Sequence, residues 1–247
     1  MSRVKILNTE VDNITMDEAV NKIDNIIKKR TPKYVVTPNL DHIVQLERDL
    51  ELQEVYKNAE LIVTDGMPLI WISHLNGMPI KEKISGSDLF PAICKLANKR
   101  NYSIFLLGAA EGVAKKAGEK LQKKYPGLNI AGTFSPEYGF EKDENKIKDI
   151  INIINESKVD ILAVGLGAPK QEKFIYRIIK EINVPVSLAI GATIDFEAGN
   201  VKRAPKWMQE NGLEWFYRLI KEPRRLFKRY LKDGINIIPL IIKYRGR

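Results

Sequence analysis

Between residues 34 and 190 the chain alternates short, almost uninterrupted apolar runs with longer amphipathic ones, and few folds accept that alternation. Strands are expected at 34–36, 61–63, 103–107, 129–131, 161–164 and 186–190, because each run is too short for a helix and rich in Val, Ile, Leu or Phe. Apolar residues at helical spacing predict helices at 88–99, 113–124, 144–156 and 170–181, with further helical material before Tyr56. An earlier helix is announced by Thr15 and Glu18, a capping-box pair, followed by Ala19, Val20, Ile23, Ile26 and Ile27. Strands without polar alternation are buried on both faces, so the expected fold is α/β: a mostly parallel, Rossmann-like sheet with helices on both sides. Gly66, Gly108, Gly165, Gly167 and Gly191 each fall just beyond a strand. Open parallel sheets bind ligands at those carboxyl ends, so ligand binding is expected there.

The charge is distributed unevenly. Of the net +9, residues 1–200 contribute nothing, with 27 cations against 27 anions, whereas residues 201–247 hold 13 Lys/Arg against 4 Asp/Glu. This divides the chain into an α/β body, 1–200, and a basic helical appendage, 201–247. Within the appendage, Trp215, Phe216, Leu219, Ile220, Leu226, Phe227, Tyr230 and Leu231 share a broad apolar arc if residues 213–232 are helical. Pro223 divides that helix, with Glu222 as its cap. Arg224 falls inside the arc and is expected to reach the body or a ligand phosphate. A docked helix with a solvated basic side and an anionic membrane surface are both open readings of this segment.

Composition excludes several classes. No run approaches the roughly 20 apolar residues of a membrane-spanning helix. Charged Arg3, Lys5 and Glu10 interrupt any secretory signal, so a cytoplasmic location is expected. One cysteine, Cys94, and two histidines, His42 and His74, are a poor inventory for a disulfide or structural zinc. Cys94 reads as buried filler and His42 as a structural hydrogen-bonding residue. A nicotinamide enzyme would need a glycine fingerprint after its first strand, which is absent. Nucleic-acid binding fits a neutral body poorly, despite the basic tail.

Several segments carry candidate chemistry. Asp65 ends a strand before Gly66 and is either the cap of the next helix or a general base for a hydroxyl nucleophile, its pKa raised by partial desolvation. Thr37 and Asn39 either fix sugar hydroxyls or make a turn around Pro38. The turn from Gly108 to Gly112 accommodates a phosphate only loosely, since Glu111 adds an anion and no Lys-Ser/Thr ending follows. Ser85 to Asp88 reads as either a donor cluster or a helix cap. Gly165 to Glu172 is the richest stretch: Gly167 allows close approach to a ligand, and Lys170 and Gln171 bring a cation and an amide to a helix N-terminus. After the last strand, Gly191 leads to Asp195, which either accepts from a base or ribose or makes a turn.

Taken together these segments resemble the TagA/WecG/CpsF family of bacterial glycosyltransferases, and most closely its teichoic-acid branch. The resemblance is carried in order by Thr37-Pro38-Asn39-Leu40-Asp41-His42, Asp65-Gly66-Met67-Pro68-Leu69, Gly86-Ser87-Asp88-Leu89, Val164-Gly165-Leu166-Gly167 with Pro169-Lys170-Gln171-Glu172, Arg203-Ala204-Pro205, Gly212-Leu213-Glu214-Trp215 and Glu222-Pro223-Arg224-Arg225-Leu226. It implies inverting transfer of N-acetylmannosamine from UDP-N-acetylmannosamine to undecaprenyl-diphosphate-linked N-acetylglucosamine, forming the β-1,4 disaccharide of the teichoic acid linkage unit. It also implies no metal, no cofactor, and contact of the C-terminal part with the cytoplasmic face of the membrane. On this resemblance Asp65 matches the family's proposed base, and Thr37, Asn39 and Gln171 match its polar pocket.

The leaving diphosphate would then be met by helix N-termini and by arginines, Arg224 above all, with Arg218 and Arg225 behind it. Nucleotide contacts are expected from Gly108, Gly167, Lys170, Gly191 and Asp195. Lys83 and His74 stand where arginine is common in the family. Three alternatives remain at this level: transfer of the corresponding uronic acid, a non-catalytic membrane-surface module, and a homo-oligomer, since closed symmetric association is common.

Overall fold

The computed structural model describes residues 3–245, apart from the side chains of Glu210 and Arg225. The chain opens with a short antiparallel hairpin, β1 (Arg3–Ile6) and β2 (Thr9–Asp12), followed by α1 (Met16–Lys29). Thr15 and Glu18 close a reciprocal capping box at the start of α1. The body continues through β3 (Lys33–Val36), α2 (Leu40–Leu46), α3 (Leu50–Lys57), β4 (Leu61–Ile62), α4 (Met67–Leu75) and α5 (Gly86–Arg100). Next come β5 (Ser103–Gly108), α6 (Val113–Lys124), β6 (Asn129–Phe134), α7 (Glu144–Glu156), β7 (Ile161–Gly165), α8 (Lys170–Ile178), β8 (Val186–Ala189) and α9 (Thr193–Ala198). Three helices follow: α10 (Lys206–Glu210), α11 (Glu214–Lys221) and α12 (Pro223–Tyr244).

All six expected strands form one parallel sheet in the order β4-β3-β8-β7-β5-β6. Their side chains alternate between two cores, as the period of two requires. Val35, Leu61, Ile104, Leu106, Ala163 and Leu188 face α1, α5, α6 and α9. Tyr34, Val36, Ile62, Leu107, Leu162 and Val164 face α2, α3, α7 and α8. The fold is therefore the expected α/β sandwich, and the hairpin and α4 are additions that the periodicity did not reveal.

Two consequences of this topology position the sites. The chain leaves β5 for α6 on one face and β7 for α8 on the other, which makes the β5–β7 boundary the topological switch point where a crevice must open. The exits of these strands are also packed backbone against backbone. A Cβ on Gly108, whose φ is +120°, would collide with the Gly165 carbonyl, and one on Gly165 would stand 2.7 Å from Gly191 O. Glycine at 108 and 165 thus closes the sheet end itself.

The appendage returns to the body. α12 carries two apolar stripes. Leu226, Ile237 and Leu240 are buried, whereas Phe227, Leu231, Ile235, Ile238 and Ile242 are exposed about 140° around the helix at 100° per residue. Ile237 and Leu240 join the core on the α2 side, and Lys243 pairs with Glu47 at 2.5 Å. The broad arc expected for residues 213–232 is thereby split: one part is core and the other is surface.

Candidate active site

Where the chain leaves β4, backbone geometry decides what Asp65 can do. Its N–H donates to Pro38 O at 2.8 Å, which holds it beside the exit of β3. Gly66, at φ +96°, occupies the N-cap position of α4 and no side chain caps that helix, so the capping reading of Asp65 does not hold. The half-buried carboxylate instead lines a cavity of ≈ 320 Å³ between the strand exits and the appendage. Burial pushes its pKa up to about 6; Glu214 adds to the rise, while Lys83, Arg218 and His42 oppose it. At neutral pH Asp65 is an ionised carboxylate of unusual basicity, suited to accept a proton from an alcohol.

The cavity has two walls. The body wall is made by Asn39, Leu40 and Asp41 after β3, Met67, Pro68 and Trp71 on α4, and Lys83 and Ser87 near the start of α5. The appendage wall is made by Gln209, Gly212, Glu214, Trp215 and Arg218, then Arg229, Tyr230 and Asp233 of α12. Trp215 meets Tyr230 edge-on at 6.2 Å, which joins α11 to α12. Arg203 ties the walls together, donating to Ser87 O at 3.0 Å and pairing with Asp88 at 2.8 Å and Glu214 at 3.2 Å. The Arg203-Ala204-Pro205 segment therefore docks the appendage, with a guanidinium fork matched to two carboxylates.

Asn39 serves two purposes. Its Oδ1 caps α2, accepting from Asp41 N at 3.1 Å and His42 N at 3.4 Å, while the residue also lines the cavity. His42 Nδ1 lies 2.9 Å from the same oxygen, and its Nε2 lies 3.2 Å from Glu172 Oε1. Glu172, fully buried, also accepts from Gln171 Nε2 at 2.8 Å, and Gln171 Oε1 accepts from Gly191 N at 3.0 Å. A continuous chain of hydrogen bonds so joins the exits of β3 and β8 through the start of α8. Burial alone would lower the His42 pKa; Glu172, Asp41 and Asp65 outweigh it and raise the pKa above its ordinary value. The Asn39 N–H donates to His42 Nδ1 at 3.2 Å, so that nitrogen accepts while Nε2 faces the Glu172 carboxylate. The structural reading of His42 agrees with this placement.

The remaining sequence-predicted residues fall in three places. Thr37 is buried and donates to Ala189 O at 3.3 Å, and Gln171 is buried beneath the β8 exit, so both support the site from below rather than line the cavity. At the switch point a second cavity of ≈ 780 Å³ is lined by Ala109, Ala110, Glu111, Gly165, Leu166, Tyr138 and Lys170 among others. Lys170 pairs there with Glu141 at 2.9 Å and lies 4.8 Å from the centre of the fully exposed Tyr138 ring. Gly108 borders this region through its contact with Gly165. Gly167 (φ +79°) and Gly191 (φ +56°) have open space where a Cβ would point, and Asp195 stands in the first turn of α9.

Among the arginines, Arg218 lines the first cavity with its guanidinium 5.8 Å from the Phe196 ring centre. Arg224 is exposed and lines neither cavity. The reason is the break at Glu222 (φ −130°, ψ 56°): α12 restarts the helical phase at Pro223, and this places Arg224 on the exposed stripe with Phe227 and Leu231. The side chain of Arg225 lies outside the described residues. Ser85 caps α5, as one of its two readings required.

Lys83, Glu214, Arg229 and Asp233 were not singled out for the site from the sequence. Asp233 carried a usable signal: it is the sole acidic residue of α12 and shares the helical spacing of Leu226, Tyr230, Ile237 and Leu240. Among the described residues, no group of three or more His, Cys, Asp or Glu is arranged to hold a metal ion.

A parallel sheet whose strand exits present a basic carboxylate to an aromatic, arginine-bearing cavity can activate a hydroxyl group beside an anionic ligand. The sequence profile of the glycosyl transferase WecG/TagA/CpsF family matches residues 4–247, and the chain belongs to that family. Similar relatives include an N-acetylglucosaminyldiphosphoundecaprenol N-acetyl-beta-D-mannosaminyltransferase of Bacillus subtilis (strain 168), 36% identical over 184 residues that make up 74% of this chain and 69% of the relative. The protein of the same name from Staphylococcus aureus (strain MW2) is 28% identical over 227 residues, 91% of this chain and 87% of that one.

Proposed function

We propose that the protein transfers an N-acetylmannosaminyl group from UDP-N-acetylmannosamine to N-acetylglucosaminyl-diphospho-undecaprenol, with inversion, at the membrane surface. The observation that carries this reading is the placement of Asp65 in a cavity closed by a cationic helical appendage. Asp65 takes the proton of the acceptor 4-hydroxyl as that oxygen forms its bond to the anomeric carbon. The bond from that carbon to the diphosphate breaks on the opposite face, and UDP departs with the electron pair. Arg218 and Lys83 border the same cavity and offset the charge that develops on the leaving group. The nucleotide is received over the exits of β5, β7 and β8 by Lys170, the open backbone at Gly167 and Gly191, and Asp195. In this reading no metal takes part, because side-chain cations meet the diphosphate.

The acceptor is a lipid, and the exposed stripe of α12 suits it. Phe227, Leu231, Ile235, Ile238 and Ile242 lie beside exposed Arg224, Lys228 and Lys232, the pattern of a helix lying in a membrane interface. Among the described residues no helix is long and apolar enough to cross a membrane. Each cation near an anionic leaflet adds about 1 kcal/mol of attraction.

The test is incubation of purified enzyme with UDP-N-acetylmannosamine and a lipid-diphosphate-N-acetylglucosamine in vesicles, following UDP and disaccharide together. Stoichiometric appearance of both is expected. UDP-N-acetylmannosaminuronic acid used in preference would overturn the donor assignment, and no transfer from either donor would overturn the reaction.

A further inference from the structure

Asp233 is a carboxylate in an unusual place. It is 4% exposed, on the helical stripe that packs against α2, and it lines the cavity opposite the body wall. Among the described residues no hydrogen bond or ion pair reaches it. Its oxygens are open to the cavity it lines, so a ligand there could supply the donors that the protein does not. A charge facing Asp41 across the α2–α12 contact is costly: burial pushes Asp233 up to about 6, Asp41 adds to the rise, and Arg229, Lys232 and His42 oppose it.

Its neighbours say what would satisfy it. Arg229, one turn earlier on the same face, also lines the cavity, and its Nε is buried without a partner. Tyr230 and Trp215 present aromatic faces beside them. An acceptor-only carboxylate, an unpaired guanidinium donor and flanking rings complement a ligand that is apolar on one surface and carries both donors and acceptors on its edge, which describes a hexosamine ring.

We propose that Asp233 is a specificity-determining residue that binds the acceptor sugar, accepting a hydrogen bond from one of its hydroxyls or from its amide N–H, with Arg229 donating to a neighbouring oxygen. This rests on the reading of the lipid-linked hexosamine as acceptor. The appendage then recognises the sugar whose hydroxyl Asp65 deprotonates, so that only a docked appendage completes the acceptor subsite.

The experiment compares full-length wild type with Asp233→Asn, which keeps the shape and removes the charge. Acceptors are N-acetylglucosamine diphosphates on a short prenyl chain, intact or lacking one donor: the 3-hydroxyl, the 6-hydroxyl or the amide N–H. Acceptor affinity is measured without donor, and KM and kcat with it. In wild type, one of the three analogues should bind at least tenfold more weakly than the intact acceptor. In Asp233→Asn, the intact acceptor should lose a similar factor in KM while the donor KM stays within about twofold, and that same analogue should lose little more, because a buried group built to receive a donor discriminates against the ligand lacking it.

Equal analogue penalties in wild type and variant would overturn the assignment even if the variant were weakened overall, since a misdocked helix would not single out one hydroxyl. Wild type that binds the intact acceptor with an Asp233-dependent penalty yet transfers nothing would instead overturn the proposed reaction and leave the subsite standing. Wild type that binds no hexosamine acceptor would overturn both.

Discussion

Asp65 is held where its charge is useful and costly. A carboxyl with a folded pKa of about 6 against an ordinary 3.8 is destabilised as the anion by about 3 kcal/mol, using 1.36 kcal/mol per pKa unit. The sign follows directly. The folded form binds the proton more tightly than the unfolded form, so this penalty is absent below pH 3.8, grows between 3.8 and 6, and is complete above 6. Asp65→Asn should therefore raise the melting temperature at pH 7.5 and leave it unchanged near pH 4. The same substitution should lower kcat by about 10²–10⁴-fold, the usual worth of a positioned base. In wild type, kcat/KM should fall below about pH 6 as Asp65 protonates, and the residual activity of Asp65→Asn should lack that limb; an identical acid limb in both would remove the base assignment.

The neighbouring His42 belongs to the same scale. Replacing it with Ala would leave buried Glu172 with Gln171 as its side-chain donor among the described residues, and losing a hydrogen bond to a buried acceptor costs about 1–3 kcal/mol. Chemical denaturation should register that loss.

At the scale of the element, α12 is apolar twice over, and the two stripes should respond to different assays. Truncating the inner stripe, for example Ile237→Ala, removes packing against the core and should cost about 2–4 kcal/mol of stability with little effect on vesicle binding. Changing the outer residues Leu231 and Ile235 to Ser should leave the melting temperature within a degree or two and weaken binding to anionic vesicles at least tenfold. Replacing Arg224, Lys228 and Lys232 with Gln should weaken the same binding in a manner that fades as salt is raised, because exposed charges are screened within about 10 Å at 0.1 M. Vesicle binding indifferent to both sets of changes would remove the interfacial role of the helix.

Across the whole molecule, one arginine joins body and appendage. Arg203 spans the Ser87 carbonyl, Asp88 and Glu214, the last of which faces the cavity. Arg203→Ala should loosen α10 to α12 from the body and expose the chain near residue 200 to protease, while hydrogen exchange in β5, β7 and β8 stays slow. Transfer should fall along with appendage protection; an appendage as protected as in wild type would mean that the clamp is dispensable.

The sheet and its helices could be read from the chain because both follow from local periodicity: 161–164 is apolar throughout and 186–190 is broken only by Ser187, and 113–124 and 144–156 repeat at helical spacing with bounds that match α6 and α7. The place of Asp65 at a strand exit could be read from the chain, whereas the choice between cap and base was left open by the residues and leaned on the family resemblance. Other parts depended on contacts between distant segments. Gly108 looked like a phosphate turn, yet its lack of a side chain serves the packing of its backbone against Gly165; Arg224 looked like the diphosphate ligand until the break at Glu222 turned it outward. Asp233 and Arg229 entered the cavity only because α12 folds back onto α2. Periodicity and end signals are properties of a few consecutive residues and survive without the rest of the chain, whereas the direction of a side chain on a docked helix depends on a phase set by one irregular residue and by what that helix meets some 190 positions earlier.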